Sequence, residues 1–181
     1  MPRRMSCLAA VVLALVTTGC GYSLAGRGSF LPPEIKIIGV PEFTNRTPVF
    51  NLETQLTQKV RSEFIGRGKY QILPETTGVD AILTGEVSNV NVQPASFTAQ
   101  NIASRYIITM TARVELRDVK ADTVLWENPG LVFRQEFDPP SAQATGGTID
   151  AAAFLGQDLN ALERITNDFA RTIVSAILEA F

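Results

Sequence analysis

The sequence predicts an α+β fold, a two-layer sandwich in which a mixed, mostly antiparallel sheet of about four to five strands carries two helices on one face. Three observations support this prediction. One segment alternates apolar and polar residues with a period of two, and two others carry apolar residues at spacings of three and four. The order along the chain is strand, helix, several strands, helix. We expect a single domain over residues 35–181.

The domain is expected to begin with a strand at residues 35–43, where apolar and polar residues alternate before a more continuous apolar run. The first helix should begin at Thr47-Pro48, because proline at the first helical position loses no hydrogen bond. Gly66 and Gly68 are expected to supply its left-handed ending. Its apolar stripe consists of Val49, Leu52, Leu56, Val60 and Phe64.

Two strands and a loop should follow the first helix. A short strand is expected at residues 70–73, and a longer one at residues 81–93. The longer strand changes its inward register near Ser88 and Asn89, which predicts a β-bulge. Residues 94–103, which begin with Pro94 and include Ser96, Thr98, Gln100 and Asn101, are interpreted as a polar loop.

The clearest strand follows Arg105. The residues on one of its faces are apolar: Tyr106, Ile108, Met110, Ala112, Val114 and Leu116. The residues on its other face are polar: Thr109, Thr111, Arg113, Glu115 and Arg117. Such alternation indicates one covered face and one polar face. The polar face is either simply solvated or docks a polar partner, and the candidate partner-facing residues are Thr111, Arg113, Glu115 and Arg117.

The C-terminal part should contain one more strand and the second helix. A turn at residues 118–122 leads into a strand at residues 123–137, in which residues 128–130 (Asn-Pro-Gly) predict a bulge or an edge position. Residues 138–148 predict a flexible loop, and an amphipathic helix is expected over residues 158–180. Its apolar side consists of Leu159, Leu162, Ile165, Phe169, Ile173, Ile177 and Phe181.

The N-terminus predicts a signal peptide over residues 1–19, with a basic start, an apolar stretch and small residues before Cys20. The apolar stretch is shorter than the roughly 20 residues that a membrane span requires. The pattern resembles a bacterial lipoprotein signal, in which a peptidase cleaves before the cysteine that then carries lipid. Thr17 stands where that signal usually has leucine. The alternative is an uncleaved apolar helix with an incidental cysteine.

Residues 20–34, rich in glycine, serine and proline, predict a lipidated tether between the membrane and the domain. Gly21 after the cysteine resembles lipoproteins that are sorted to the outer membrane. The chain has two cysteines. Cys7 leaves with the signal peptide and Cys20 is consumed by lipid, so we expect no disulfide.

The composition excludes several functional classes. The chain has no histidine, which removes histidine-based catalysis and imidazole metal ligands. The chain has 16 basic and 18 acidic residues, and loss of Arg3 and Arg4 with the signal peptide would leave 14 basic against 18 acidic, which argues against nucleic-acid binding. Glu86 and Glu115 are the nearest approach to a catalytic carboxylate pair, but Arg113 and Arg117 would keep both ionised. We therefore expect no enzymatic activity, no cofactor and no metal site.

Taken in order, these segments resemble the LptE family, lipoproteins of lipopolysaccharide assembly, over nearly the whole mature chain. The resemblance rests on Cys20-Gly21-Tyr22 with Leu24, residues 35–43 with Thr44-Asn45, the helical Leu52, Leu56 and Phe64, residues 80–85 (DAILTG), Arg105-Tyr106, Leu125-Trp126 and residues 173–178. Each segment is weak evidence alone, whereas their order and spacing together are specific.

The resemblance implies a lipid-anchored protein of the cell outer membrane, periplasm-facing or inside a barrel lumen. It implies that the domain plugs the β-barrel of an LptD-like partner, helps that barrel to assemble and takes part in lipopolysaccharide insertion. Family members are thought to offer basic residues near the sheet tip to lipopolysaccharide. Residues 94–103 contain none, which leaves Arg105 as the possible lipopolysaccharide contact.

Two other classes stay open. Residues 38–43 also resemble the opening strand of curli-export-type lipoproteins, which implies an envelope secretion-channel or scaffold subunit that forms rings. A carboxylate-based periplasmic hydrolase would need a pocket with close acidic residues, and the sequence marks none.

Overall fold

The computed structural model describes residues 31–67, 69–100, 103–138, 150–157 and 159–181. The predicted signal peptide, Cys20, the tether up to residue 30 and most of the predicted loop at 138–148 lie outside these ranges. Leu31, within the predicted tether, is buried at 2% exposure. No helix in the described ranges is both long enough and apolar enough to cross a membrane.

The described strands form one mixed sheet. They are β1 (Ile37–Gly39), β2 (Thr44–Asn45), β3 (Gln71–Leu73), β4 (Ala81–Phe97), β5 (Ala103–Asp118) and β6 (Thr123–Phe137). The order across the sheet is β3-β1-β4-β5-β6, and β2 also pairs with β4. Pairing is parallel among β1, β2, β3 and β4, and antiparallel among β4, β5 and β6. The predicted α+β class is confirmed, with six strands rather than four to five.

In the described residues, three helices accompany the sheet. They are α1 (Leu52–Gly66), α2 (Ala151–Gln157) and α3 (Leu159–Leu178). The sequence predicts α1 and α3 but not α2, which is short and has no apolar stripe to distinguish it. Its N-terminus is capped by Asp150, whose Oδ1 accepts the N–H groups of Ala152 and Ala153 at 2.8 and 3.2 Å. Phe154 of α2 packs against the rings of Tyr106 and Phe137.

The core lies between the helices and the inner face of the sheet. The six apolar residues predicted on the covered face of β5 are all buried, with Tyr106 at 1% exposure and the others at 0%. The predicted stripe of α1 is buried as well, with at most 2% exposure. Phe181 is an error of the sequence prediction, because α3 ends at Leu178 and this side chain is 52% exposed.

The predicted first strand is divided because residues 40–43 leave the sheet between β1 and β2. The ring of Phe43 occupies the space over Gly85 that a β-carbon would need. The backbone N–H of Phe43 donates to Thr57 Oγ1 at 2.9 Å, and Arg61 donates twice to the carbonyl of Val40, at 2.9 and 2.6 Å. Side chains of α1 thus provide hydrogen bonds in place of a neighbouring strand.

Helix α1 begins at Leu52, later than Thr47-Pro48 predicts, because Asn45 folds the preceding residues into a turn. Asn45 Oδ1 accepts the N–H and the hydroxyl of Thr47 at 2.9 and 2.7 Å. Asn45 Nδ2 donates to the Val49 carbonyl at 2.8 Å and to Glu53 at 2.9 Å. A side chain, rather than the proline, therefore sets the start of the helix.

The end of α1 also differs from the prediction. Gly66 is the last helical residue, and Arg67 after it has a right-handed φ of −74°. Gly68 lies outside the described residues. A left-handed residue lies at the start of this helix, where Asn51 has φ 59°.

Strand β4 continues through part of the predicted loop at 94–103. Pro94 pairs with Tyr106 and Phe97 with Ala103, with register shifts around Ser96. The composition of this segment did not predict the extension of β4, because polar residues occur both in loops and at the solvated end of a β-hairpin. The bulge predicted near Ser88 is confirmed by the register shift between Val87 and Asn89, and another shift confirms the irregularity predicted at residues 128–130.

Asp80 ties β1 to the turn between β5 and β6. Its Oδ2 accepts the backbone N–H groups of Lys36 and Ile37 at 3.0 Å, and its Oδ1 accepts Lys120 Nζ at 2.7 Å. The hydrogen bond from Lys120 and the two backbone hydrogen bonds lower the pKa of Asp80 to about 2. The ionised carboxylate therefore stabilises the folded state.

We predict that Leu56→Ala lowers the free energy of unfolding by about 2 to 5 kcal/mol, because the side chain is fully buried in α1. Denaturant unfolding followed by circular dichroism measures this loss. Gln58→Ala, on the exposed side of the same helix, is the control. A loss below about 0.5 kcal/mol at Leu56 would contradict its place in the core.

A second prediction concerns acid stability. The folded-state pKa of Asp80, about 2, lies below its ordinary value of 3.8. Its stabilisation is therefore complete above the ordinary value and is lost as the pH falls towards 2. Asp80→Asn should lower Tm at neutral pH and reduce the further fall in Tm on acidification. Thermal melts across this pH range test it, with the exposed Glu179→Gln as control, and equal acid sensitivity of Asp80→Asn and the unchanged protein would refute it.

Candidate partner-facing surface

The sheet face opposite the helices, called the outer face, is formed by alternate residues of β4, β5 and β6. Its members on β4 and β5 are Ile82, Thr84, Glu86, Asn89, Asn91, Gln93, Ile107, Thr109, Thr111, Arg113, Glu115 and Arg117, and on β6 Val124, Glu127, Val132, Arg134 and Glu136. The four residues predicted as partner-facing, Thr111, Arg113, Glu115 and Arg117, all lie here. The face is mixed in charge and mostly polar.

One end of the outer face holds an ion-pair cluster around Arg117. Arg117 contacts Glu115 Oε1 at 3.0 Å and Asp122 Oδ1 at 3.1 Å. The hydrogen bond that Arg117 donates to Glu115, together with the charge of that carboxylate, raises the pKa of Arg117. Glu115 lies opposite Glu127 on β6, so Arg117 also offsets the repulsion between these two carboxylates.

The middle of the outer face leaves two cations free among the described residues. Arg113 lies opposite Glu86 in the sheet register. Glu86, however, accepts its hydrogen bond from Arg46, which follows β2, at 3.3 Å. In the part of the chain that the structure describes, neither the exposed Arg113 nor the exposed Arg134 has an ion-pair partner. These two guanidinium groups are available to an anionic partner.

Arg105, predicted as the possible lipopolysaccharide contact, lies near the end of the β4–β5 hairpin and is held by two acids. Its Nε donates to Asp138 Oδ1 at 2.9 Å, and its Nη1 lies 3.3 Å from Glu136 Oε2. The hydrogen bond and the charge of Asp138, with the charge of Glu136, raise the pKa of Arg105. The sequence analysis missed both partners, because they come from the far end of β6.

The acids considered as a catalytic pair are each bound to an arginine. Glu86 contacts Arg46, and Glu115 contacts Arg117. Among the described residues, no group of three or more potential metal ligands of the cysteine, aspartate or glutamate type comes together. What the outer face offers is hydrogen bonding and charge for the binding of another polar surface.

Comparison with known proteins gives one match to a family. The sequence model of the LptE family, described as lipopolysaccharide-assembly, matches residues 35–177. None of the curated proteins compared with the chain matches it.

Several solved structures have a similar fold at low identity. The hypothetical protein CT253 from Chlamydia trachomatis has a TM-score of 0.51 and 11% identity, covering 80% of this chain and 96% of that chain. The rare lipoprotein B from Shewanella oneidensis has a TM-score of 0.49 and 11% identity, with the same coverage of 80% and 96%. Lipoprotein B from Nitrosomonas europaea has a TM-score of 0.49 and 13% identity, covering 88% and 94%. At these identities the likeness concerns the fold alone.

Proposed function

The chain belongs to the LptE lipopolysaccharide-assembly family, and we propose that it is an outer-membrane lipoprotein that plugs an LptD-like β-barrel and assists its assembly. The observation that carries this proposal is the division of the sheet into a buried inner face and a polar outer face. A large outer-membrane barrel has a polar interior. A domain with one hydrogen-bonding, mixed-charge face suits such a lumen.

The free cations of the outer face indicate which of its groups would contact the barrel. Arg113 and Arg134 are exposed without an ion-pair partner among the described residues. Paired charges such as Arg117 and Glu115 are already satisfied within the domain. We therefore expect carboxylates or carbonyl oxygens of the barrel wall to meet the two free arginines, in charge-assisted hydrogen bonds.

The lipid anchor belongs to the same proposal. Cys20 would carry acyl chains, and several chains together hold a protein stably on a membrane. Residues 21–30 separate Cys20 from the buried Leu31. A fully extended chain of that length spans roughly 35 Å, comparable with the roughly 30 Å of a bilayer core. The domain can thus enter a lumen while its lipid stays in the bilayer.

The protein would act by binding alone, without enzymatic activity, cofactor or metal. Depletion followed by measurement of surface lipopolysaccharide and of folded barrel tests this function. Both quantities should fall, because the barrel lacks its plug during assembly. Normal levels of both after depletion would overturn the proposal.

We predict that Arg113→Glu reduces recovery of the barrel with the affinity-purified protein by about threefold or more, because it replaces a free cation with an anion. Mass spectrometry of the complex purified from membranes measures the recovery. Arg171→Glu, a reversal on α3 at a side chain 59% exposed, is the charge-matched control. Equal recovery with both variants would argue against contact through the outer face.

Lipopolysaccharide contact at Arg105 gives a further prediction. Arg105→Glu should weaken binding of purified lipopolysaccharide while leaving the fold intact, because an anion would repel its phosphates. Asp138→Asn should strengthen binding, since Asp138 offsets the arginine charge at 2.9 Å. Binding of labelled lipopolysaccharide to the folded variants measures both effects. If neither substitution changes the affinity, Arg105 is not a contact.

A further inference from the structure

Strand β6 lies at an edge of the sheet. Among the described residues it pairs only with β5, so the backbone groups on its other side have no partner strand there. Edge strands of this kind are templates for pairing with another chain, and natural proteins usually protect them with proline, bulges or charges that repel a copy. Pairing at this edge does not depend on a barrel partner.

The two halves of β6 are protected differently. Its first half contains Pro129 and the register shift opposite Ala112 and Val114. Its second half, residues 131–137, has neither, and its pairing with β5 runs without interruption from Leu131 to Phe137. Proline and bulges thus leave this second half open to a new strand.

The side chains of this second half alternate in a regular way. Arg134 and Glu136 are exposed on the outer face. Phe133 and Phe137, at 8% and 6% exposure, lie on the inner face, with Gln135 between them. The segment therefore presents to an aligned strand the free cation of Arg134 and the carboxylate of Glu136, which also lies 3.3 Å from Arg105 of its own copy. The two largely buried rings present only a small exposed area.

We propose that two copies of the chain pair through residues 132–138, the second half of β6 with Asp138 after it, as antiparallel strands related by a two-fold axis at Gln135. In this register Arg134 faces Glu136 of the second copy, and Glu136 faces Arg134 of the second copy. Phe133 faces Phe137 of the second copy on the inner face. Opposite charges and aromatic pairs directly across antiparallel strands are stabilising, and a two-fold interface makes each contact twice.

The charge pattern selects this register over its neighbours. A shift by two residues in one direction sets Arg134 opposite its own copy, and a shift in the other direction sets Glu136 opposite its own copy. Like charges directly opposite each other are destabilising. A shift by one residue would align the buried face of one copy with the polar face of the other. The complementarity is thus specific to a second copy in this one register.

A single cysteine tests the axis. In the full chain purified in detergent, Gln135→Cys places a thiol opposite its own copy, at a Cα separation of roughly 4.5 to 5.5 Å that suits a disulfide. Catalysed oxidation should give at least about fivefold more covalent dimer than Thr109→Cys, a half-buried position on β5 away from the edge. Both variants keep Cys20, which controls for crosslinks through it. Equal yields would overturn the proposal.

A charge exchange tests the register. Arg134→Glu and Glu136→Arg should each weaken dimerisation by about tenfold in sedimentation equilibrium, because each creates two like-charge contacts. The double variant should restore most of the affinity, since the exchange keeps both pairs across the two-fold axis opposite in sign and disturbs only the contact of Glu136 with Arg105 within each copy. Arg171→Glu should leave dimerisation unchanged, and circular dichroism confirms that each variant is folded. A monomer at all concentrations, a double variant that stays weak, or a larger ring would each overturn the two-fold pairing, and a ring would favour the scaffold alternative.

Discussion

The burial of one face of β5 is the constraint on which the other layers depend. The six inward-facing side chains of β5, from Tyr106 to Leu116, are at most 1% exposed. Burial of each of the larger ones contributes about 1.5 to 3 kcal/mol to stability. Both β4 and β6 are registered to this strand over most of its length. Because the side-chain period of a strand is two, fixing this row also fixes which residues of both neighbours face the helices. The outer face is therefore a consequence of the core.

The electrostatics of the outer face matter for recognition more than for stability. Exposed ion pairs are screened by water and contribute little to stability, and the side chains of Arg117 and Arg105 are 41% and 46% exposed. Their pairing has another effect, which is to decide which cations remain free. Arg113 is left unpaired among the described residues because Glu86 binds Arg46. Internal pairing thus selects the charges that the surface can offer to a partner.

The sequence predicted the elements whose residues follow a regular period, and it failed where a single distant contact decides. The β5 alternation and the α1 stripe were sufficient for the fold class and for the position of the outer face. The division of the first strand depends on Phe43 over Gly85, and the start of α1 depends on Asn45. No local pattern carries either contact. For the same reason the sequence placed Arg105 near the end of the hairpin without its partner Asp138, since only the register of β6 brings the two together.

The two edges of the sheet differ in how much hydrogen-bonding capacity they leave. Strand β3, at one edge, is only three residues long, and a short edge offers little to an incoming strand. Strand β6, at the other edge, is 15 residues long, and both of its register shifts relative to β5 lie before Leu131. The unpaired backbone is therefore concentrated beside residues 131–137. The outer face and this edge present different chemistry. The face presents charged side chains, whereas the edge presents backbone hydrogen-bonding groups flanked by side chains of alternating charge. Binding of a partner that contacts only the outer face should depend on Arg113. Binding of a partner that adds a strand to the sheet should depend on the register in which it faces Arg134 and Glu136.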